Sequence, residues 1–409
     1  MAAPGRLFSE PMNQGPAPRN WLERHPKKVI GVIVLLAVAG LALVAEAILA
    51  RRAAGVRNPV GIKRAIKLRE FNPLYQDVLV PDADAMRMSD GLKQKPYPLR
   101  VDRQGFIMPS KVHARPDLTI AFLGGSTTEC TYVDEDLRFP YLVGRLIEQR
   151  TGLQVNSYNA GRSGSNTLHC LNILLNKVAP LKPEIVVLME NINDLAILMY
   201  EKTYWNSNPS RSPIQERLPS FKTVGQDLRQ TFYLVRDLTF PNLSRQLKRL
   251  FPGGTKAKGD EFQAVRGQKI TIDQDLLVRE FSLNLQTFIN ICRARGIIPV
   301  LITQASRLTD RPDPLVIKMT RQLDVSHGIT YEDFKRAFDR LNQTIREVGA
   351  KNQVTVIDLA REIPAVRENI ADVAHFNNRG SRLVATRIAA GLMPMIPPGL
   401  KKPLSDAPK

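Results

Sequence analysis

From residue 118 onward the chain alternates two kinds of text. Short strand-like runs stand at 118–123, 155–158, 185–189, 297–303 and 354–359, and all but 155–158 (VNSY) are rich in Val, Ile and Leu. Between them lie longer amphipathic stretches at 141–150, 167–178, 276–295 and 331–349, with a last one at about 379–391. A strand that is apolar at consecutive positions is buried on both faces. Such strands belong to parallel sheets that helices cover on each side. Five of them alternating with helices predict an α/β fold: a flavodoxin-like three-layer sandwich around a five-stranded parallel sheet. In open sheets of this kind the site lies outside the carboxyl ends of the strands, so the residues just after each strand are the ones to read.

Other parts of the chain depart from this rhythm. Residues 196–272 carry Pro-rich, basic, irregular text such as TYWNSNPSRSPIQERLPSF. That is too long for an ordinary connection, and it reads as an insertion over the site end of the sheet, a candidate lid. Residues 51–114 form a basic connector and N-terminal extension, in which 102–109 (DRQGFIMP) combines a turn with apolar residues suited to docking on the main body. The main domain is expected at 115–393, with tails at 1–28 and 394–409. Residues 29–50, VIGVIVLLAVAGLALVAEAILA, hold one charge, Glu46. A helix needs about 20 apolar residues to cross a bilayer core. The run is longer than the apolar region of about 7–15 residues in a cleaved signal, and it starts late. Arg51 and Arg52 also sit on the nearest small-residue cleavage site. A retained single-pass transmembrane helix is therefore expected. Arg19, Arg24, Lys27 and Lys28 precede it and Arg51, Arg52, Arg57, Lys63 and Arg64 follow it, so charge does not orient it.

Composition changes this picture little. The 409 residues are 43% hydrophobic and 24% charged, which is globular. The formal net charge of +19 raises nucleic acid or an anionic surface as a neighbour. The Lys and Arg are spread along the chain, however, and no zinc-finger spacing, glycine–aromatic signature or P-loop occurs, so no nucleic-acid partner is expected. Cys130, Cys170 and Cys292 are odd in number and form no C-x-x-C pair. They read as small buried apolar residues rather than a disulfide framework or zinc site.

The strand ends carry the chemistry. After the first run comes Gly124-Gly125-Ser126, and after the second Asn159-Ala-Gly-Arg-Ser-Gly164. After the third comes Glu190-Asn-Ile-Asn-Asp194, and beyond the fifth Asp372-Val-Ala-His375. Acyl transfer needs a nucleophile, a base, a group that orients the base, and donors for the oxyanion. Ser126 is the candidate nucleophile, His375 the base and Asp372 the orienting carboxylate. The backbone N–H groups of Ser126 and Gly164 and the Asn193 amide are candidate oxyanion donors. Glycine at 164 suits a backbone N–H that must approach a reacting atom closely. Taken singly, each has a plainer reading: Ser126 as a turn or N-cap serine, Gly164 as a turn glycine, Asn193 and Asp194 as helix caps, and His375 as a surface histidine. The conjunction at four strand ends favours the site. His169 reads as packing or capping and Glu129 as a first-turn helix acid. Arg162 and Asn191 are candidate substrate-binding residues. No metal-ligand cluster occurs, and the mechanism needs no cofactor.

These blocks resemble the SGNH/GDSL hydrolase family, named for its Ser, Gly, Asn and His. FLGGS resembles its first block, NAGRSG its second, NIND its third and DVAHFNNRG its fifth, over roughly 116–392. The resemblance implies a five-stranded parallel sheet between helices and hydrolysis of carboxylic esters. It implies Ser126 as nucleophile, Gly164 and Asn193 as oxyanion donors, and Asp372 and His375 as the rest of the triad. The family's usual acid before the serine is Gly125 here, and the glycine that usually opens the third block is Asn191. The expected activity is that of a membrane-anchored serine esterase on an acylated small molecule, lipid or glycan, with acetyl esters of an envelope or extracellular polysaccharide as one substrate class. An O-acyltransferase with the same triad is an alternative, and a non-catalytic envelope assembly protein is a third reading from another class. The family's envelope members suggest a bacterial inner membrane, a periplasmic catalytic domain and envelope-biosynthesis partners.

Overall fold

The computed structural model describes residues 25–52, 63–217, 267–396 and the single positions 228, 262 and 265. The tail before residue 25, residues 53–62, most of the expected insertion beyond 217 and the last 13 residues lie outside the described residues. The chain divides into two compact units, 1–62 and 63–409.

The first unit holds helix α1 (Pro26–Arg52). Its residues Pro26–Ala45 have a mean hydropathy of 2.7 and are not buried inside the protein. It is therefore long and apolar enough to cross a membrane.

The second unit begins with strands β1 (Lys63–Ile66) and β2 (Gln76–Leu79), helix α2 (Ala83–Arg87) and strand β3 (Tyr97–Arg100). β2 and β3 form an antiparallel pair. The central elements then follow: β4 (Leu118–Gly124), α3 (Ser126–Glu129), α4 (Phe139–Thr151), β5 (Val155–Asn159), α5 (Thr167–Ile173), β6 (Ile185–Met189) and α6 (Ile192–Glu201). After β7 (Ile214–Arg217), which pairs with β1, come α7 (Gln274–Ala294), β8 (Ile298–Ile302), α8 (Pro314–His327), α9 (Tyr331–Lys351), β9 (Val356–Ile357), α10 (Leu359–Glu362) and α11 (Asn378–Leu392).

The sheet has the order β5-β4-β6-β8-β9, and every neighbouring pair is parallel. This is the flavodoxin-like order of a doubly wound α/β fold. Alternate strand residues face opposite layers. Ala121, Leu123, Val186, Leu188 and Leu301 join a core built with α5, α6, α7 and α9. Ile120, Phe122, Val187, Met189 and Ile302 join a second core with α4 and α11. Both faces are therefore dry, which is why β4, β6 and β8 read as nearly continuous apolar runs.

The last strand is shorter than its apolar run, with only Val356 and Ile357 paired to β8. It is an edge strand, and short edges resist pairing with other chains. α8 was not announced by the alternation. Asp313 starts it, accepting the Val316 N–H at 3.0 Å, and Pro314 fits its first turn because that position needs no N–H. Residues 63–114 are more than a connector. Ile107 bridges Asn159 on the outer edge of β5, so the extension covers the open side of the sheet.

Candidate active site

Ser126 stands two residues beyond the end of β4, as the first residue of α3, with Gly125 as N-cap. A first-turn N–H has no intrahelical acceptor, so the turn presents a hydroxyl and a backbone donor together. His375 arrives from the far end of the chain in a tight loop. The Ala371 N–H donates to the His375 carbonyl at 2.7 Å, and the Arg307 N–H donates to the Val373 carbonyl at 2.8 Å. The loop places His375 Nε2 2.7 Å from Ser126 Oγ and His375 Nδ1 2.7 Å from Asp372 Oδ2. Asp372 Oδ1 accepts the N–H groups of Ala374 and His375, each at 2.9 Å. The carboxylate is thus locked by its own loop, with one oxygen left for the imidazole.

Burial alone would raise the Asp372 carboxyl, but the His375 charge and these hydrogen bonds hold it below the usual range. Surrounding protein opposes charging of His375, yet the Asp372 carboxylate, its hydrogen bond and the more distant Glu129 raise the imidazole above its ordinary value. The imidazole side chain remains 47% exposed, open to substrate.

Gly164 and Asn193 meet through a third residue. Arg211 Nη1 donates to the Gly164 carbonyl at 2.6 Å and to Asn193 Oδ1 at 3.3 Å. Gly164 has φ +75°, the left-handed region, and a Cβ there would fall 2.4 Å from Arg69 Nη2. The Asn193 amide lies against Gly125, since a Cβ on Gly125 would fall 2.3 Å from Asn193 Nδ2. The structure thus brings Ser126, His375 and Asp372 into one hydrogen-bonded series, with Gly164 and Asn193 gathered around Arg211.

Asn191 requires correction. It is fully buried, and its amide donates to the Phe338 carbonyl of α9 at 2.9 Å. It ties β6 to a helix and offers no surface to a substrate. Arg162 stacks on Phe71 at 3.9 Å and lies 3.5 Å from Glu129, so it is held by the extension and α3. Glu129 is the acid of the first turn of α3, which it also ends. It is buried, accepts the Ser163 N–H, and accepts the Thr131 hydroxyl at 2.8 Å. His169 caps α5 with Asn166. Burial first, then the charges of Arg69 and Arg211, pull its imidazole down to about 3, so it stays neutral. All three cysteines are buried and unpaired.

Some residues at the site were not singled out from the sequence. Gln304 follows β8 as the other candidates follow their strands. It donates to Thr127 Oγ1 at 2.8 Å and accepts the Ile192 N–H at 3.0 Å, bridging the ends of β4 and β6. Reading the fourth strand end as closely as the others finds it. Arg307, 3% exposed, ion-pairs with Asp90 and Asp313 and so pins the extension beside the histidine loop. Beside Ser126 and His375 lies a cavity of about 220 Å³, walled by Met88, Leu92, Thr131, Tyr132 and Phe376. A larger cleft of about 620 Å³ near Trp205 and Ile214 shares no lining residue with it.

A flavodoxin-like sheet with a Ser–His–Asp series at its carboxyl end has the form of a serine hydrolase. The GDSL-like lipase/acylhydrolase family model matches residues 122–383. The chain belongs to this family, as its blocks implied, and is an ester-hydrolysing enzyme. Among solved structures it is similar to a lipase/acylhydrolase from Enterococcus faecalis, at 20% identity and TM-score 0.39, over 69% of this chain and 98% of that one. It is also similar to an acetylxylan esterase from Geobacillus stearothermophilus, at 13% identity and TM-score 0.39, over 68% and 94%. No curated protein matches the chain.

Proposed function

We propose that the protein is a membrane-anchored serine esterase that cleaves short acyl esters, with acetyl esters of an envelope or extracellular glycan as the substrate class. The observation that carries this reading is the unbroken series Ser126 Oγ, His375 Nε2, His375 Nδ1, Asp372 Oδ2, with both contacts at 2.7 Å. His375 takes the Ser126 proton as Oγ attacks the ester carbonyl, and Asp372 steadies the imidazolium. The N–H groups of Ser126 and Gly164 and the Asn193 amide receive the oxyanion. The imidazolium then protonates the leaving alcohol. Water, activated by the same imidazole, releases the acid from the acyl-enzyme.

The small cavity supports a short acyl group. About 220 Å³ is below the roughly 300–1,000 Å³ of sites that enclose drug-sized ligands. Helix α1 supports membrane attachment. In this reading the anchor is retained in a bacterial inner membrane and the catalytic body is periplasmic. Full-length protein in detergent should label with a fluorophosphonate and hydrolyse p-nitrophenyl acetate faster than the dodecanoate. Ser126→Ala and His375→Ala should do neither. Faster turnover of the long ester would sink the short-chain assignment. Alkali extraction of the protein from membranes, or a reporter fused after residue 60 that works only in the cytoplasm, would sink the anchor and its orientation respectively.

A further inference from the structure

The parallel register of β4 and β6 pairs Gly124 with Met189. The residues just past the two strands are therefore Gly125 and Glu190, neighbours at the carboxyl edge of the sheet. Gly125 has no side chain to place there. A Cβ built on it would fall 3.3 Å from both Glu190 carboxyl oxygens as well as against the Asn193 amide. Glu190 and Asn193 thus occupy the volume that any side chain at position 125 would need.

Asn193 is gripped at both ends. A guanidinium only donates, so the 3.3 Å contact with Arg211 Nη1 requires Oδ1 at that end. Nδ2 must then point toward Gly125, where Glu190 Oε2 accepts it at 3.4 Å. Glu190 is 3% exposed, and among the described residues its other oxygen receives the weak Cys170 thiol at 3.7 Å. A buried polar group takes a hydrogen-bond partner, and for Glu190 Oε2 that partner is the Asn193 amide.

We propose that Glu190 is a positioning residue: together with Arg211 it fixes the Asn193 amide against Gly125, next to Ser126. The inference rests on the reading of Asn193 as an oxyanion donor. Burial first, then the neighbouring Asp194 charge, pushes the Glu190 carboxyl well above its ordinary range. A neutral carboxyl still accepts the amide through its carbonyl oxygen, and a glutamine offers the same acceptor.

The test is a double-mutant cycle on full-length protein in detergent, read as kcat and KM for p-nitrophenyl acetate. Asn193→Ala should lower kcat about 10²–10³-fold, the usual loss for one oxyanion donor. Glu190→Ala should lower kcat at least about tenfold with little change in KM, and should add almost nothing in the Asn193→Ala background. Glu190→Gln should stay within about threefold of wild type. Losses that multiply in the double variant, or a Glu190→Ala kcat within threefold of wild type, would overturn the positioning role alone. A wild-type kcat in Asn193→Ala would overturn the oxyanion reading and this proposal with it. Should Glu190→Ala fail to fold, Gly125→Ala substitutes for it, because its Cβ displaces the same amide. Its kcat should fall too, again with no further loss on Asn193→Ala, and an unchanged kcat would overturn the proposal.

Discussion

Asp372→Asn tests the site most sharply, because the two isosteric side chains differ only in which end can accept. Asp372 Oδ1 accepts two backbone N–H groups at 2.9 Å, and Oδ2 faces His375 Nδ1 at 2.7 Å. An asparagine has one accepting end, and the two fixed N–H groups claim it. Its NH2 is then forced toward Nδ1, which must become an acceptor and push the imidazole proton to Nε2. A protonated Nε2 cannot take the proton from Ser126 Oγ. The wrong tautomer costs about 10⁴-fold in kcat, or roughly 5.5 kcal/mol, in the well-studied serine-hydrolase triad. The same order is expected here, with KM little changed and no large loss of stability. Asp372→Ala leaves the imidazole free to choose its tautomer, so the isosteric change should be no less harmful than truncation. The assay is p-nitrophenyl acetate hydrolysis, with urea denaturation as the control for folding. An Asp372→Asn enzyme that keeps more than about a tenth of its kcat would refute the tautomer argument.

Other predictions follow from the same geometry. His375 must be neutral to act as a base, and its folded pKa is raised, so kcat/KM should climb with pH through a midpoint above about 6.5. A midpoint at or below that value would contradict the electrostatics. Gly164→Ala should lose roughly 1–2 kcal/mol to the left-handed backbone. It should also drop kcat by at least about tenfold, since its Cβ meets Arg69 Nη2 at 2.4 Å and Arg211 Nη1 at 2.8 Å; thermal melts and initial rates would show both. Arg307→Met strands Asp90 and Asp313 without their shared cation. Both carboxylates are partly solvated, so a loss of about 2 kcal/mol is expected, less than for a fully buried pair. An unchanged urea midpoint would refute it.

Local physics made the frame legible. A strand buried on both faces tends to be apolar at consecutive positions, so β4, β6 and β8 could be located from their apolar text, whereas β5 (VNSYN) buries Asn156, Ser157 and Asn159 by hydrogen-bonding their side chains. A parallel sheet puts its chemistry at one edge, so Ser126, Gly164 and Asn193 could be picked out as candidates just after β4, β5 and β6, and Asp372 and His375 as candidates in the loop before α11. β9 was overdrawn because hydropathy measures burial: buried Val354 turns its N–H back to the Gly349 carbonyl at the end of α9, and buried Leu359 already opens α10. α8 was overlooked because Asp313-Pro314 reads equally as a loop and as a helix start.

What sequence could not supply was which distant residues share a small volume. The pattern of the chain determined a parallel α/β body, an apolar N-terminal helix and a set of strand-end residues, because burial and turn chemistry act on neighbours in sequence. Only the tertiary structure decided that Asn191 faces a helix and that Arg211, read as part of an insertion, joins Gly164 to Asn193. Likewise, only the strand register brought Glu190 into the space that Gly125 leaves empty. A missing side chain at one position and a buried acid 65 residues later make sense together only when the two strands lie side by side.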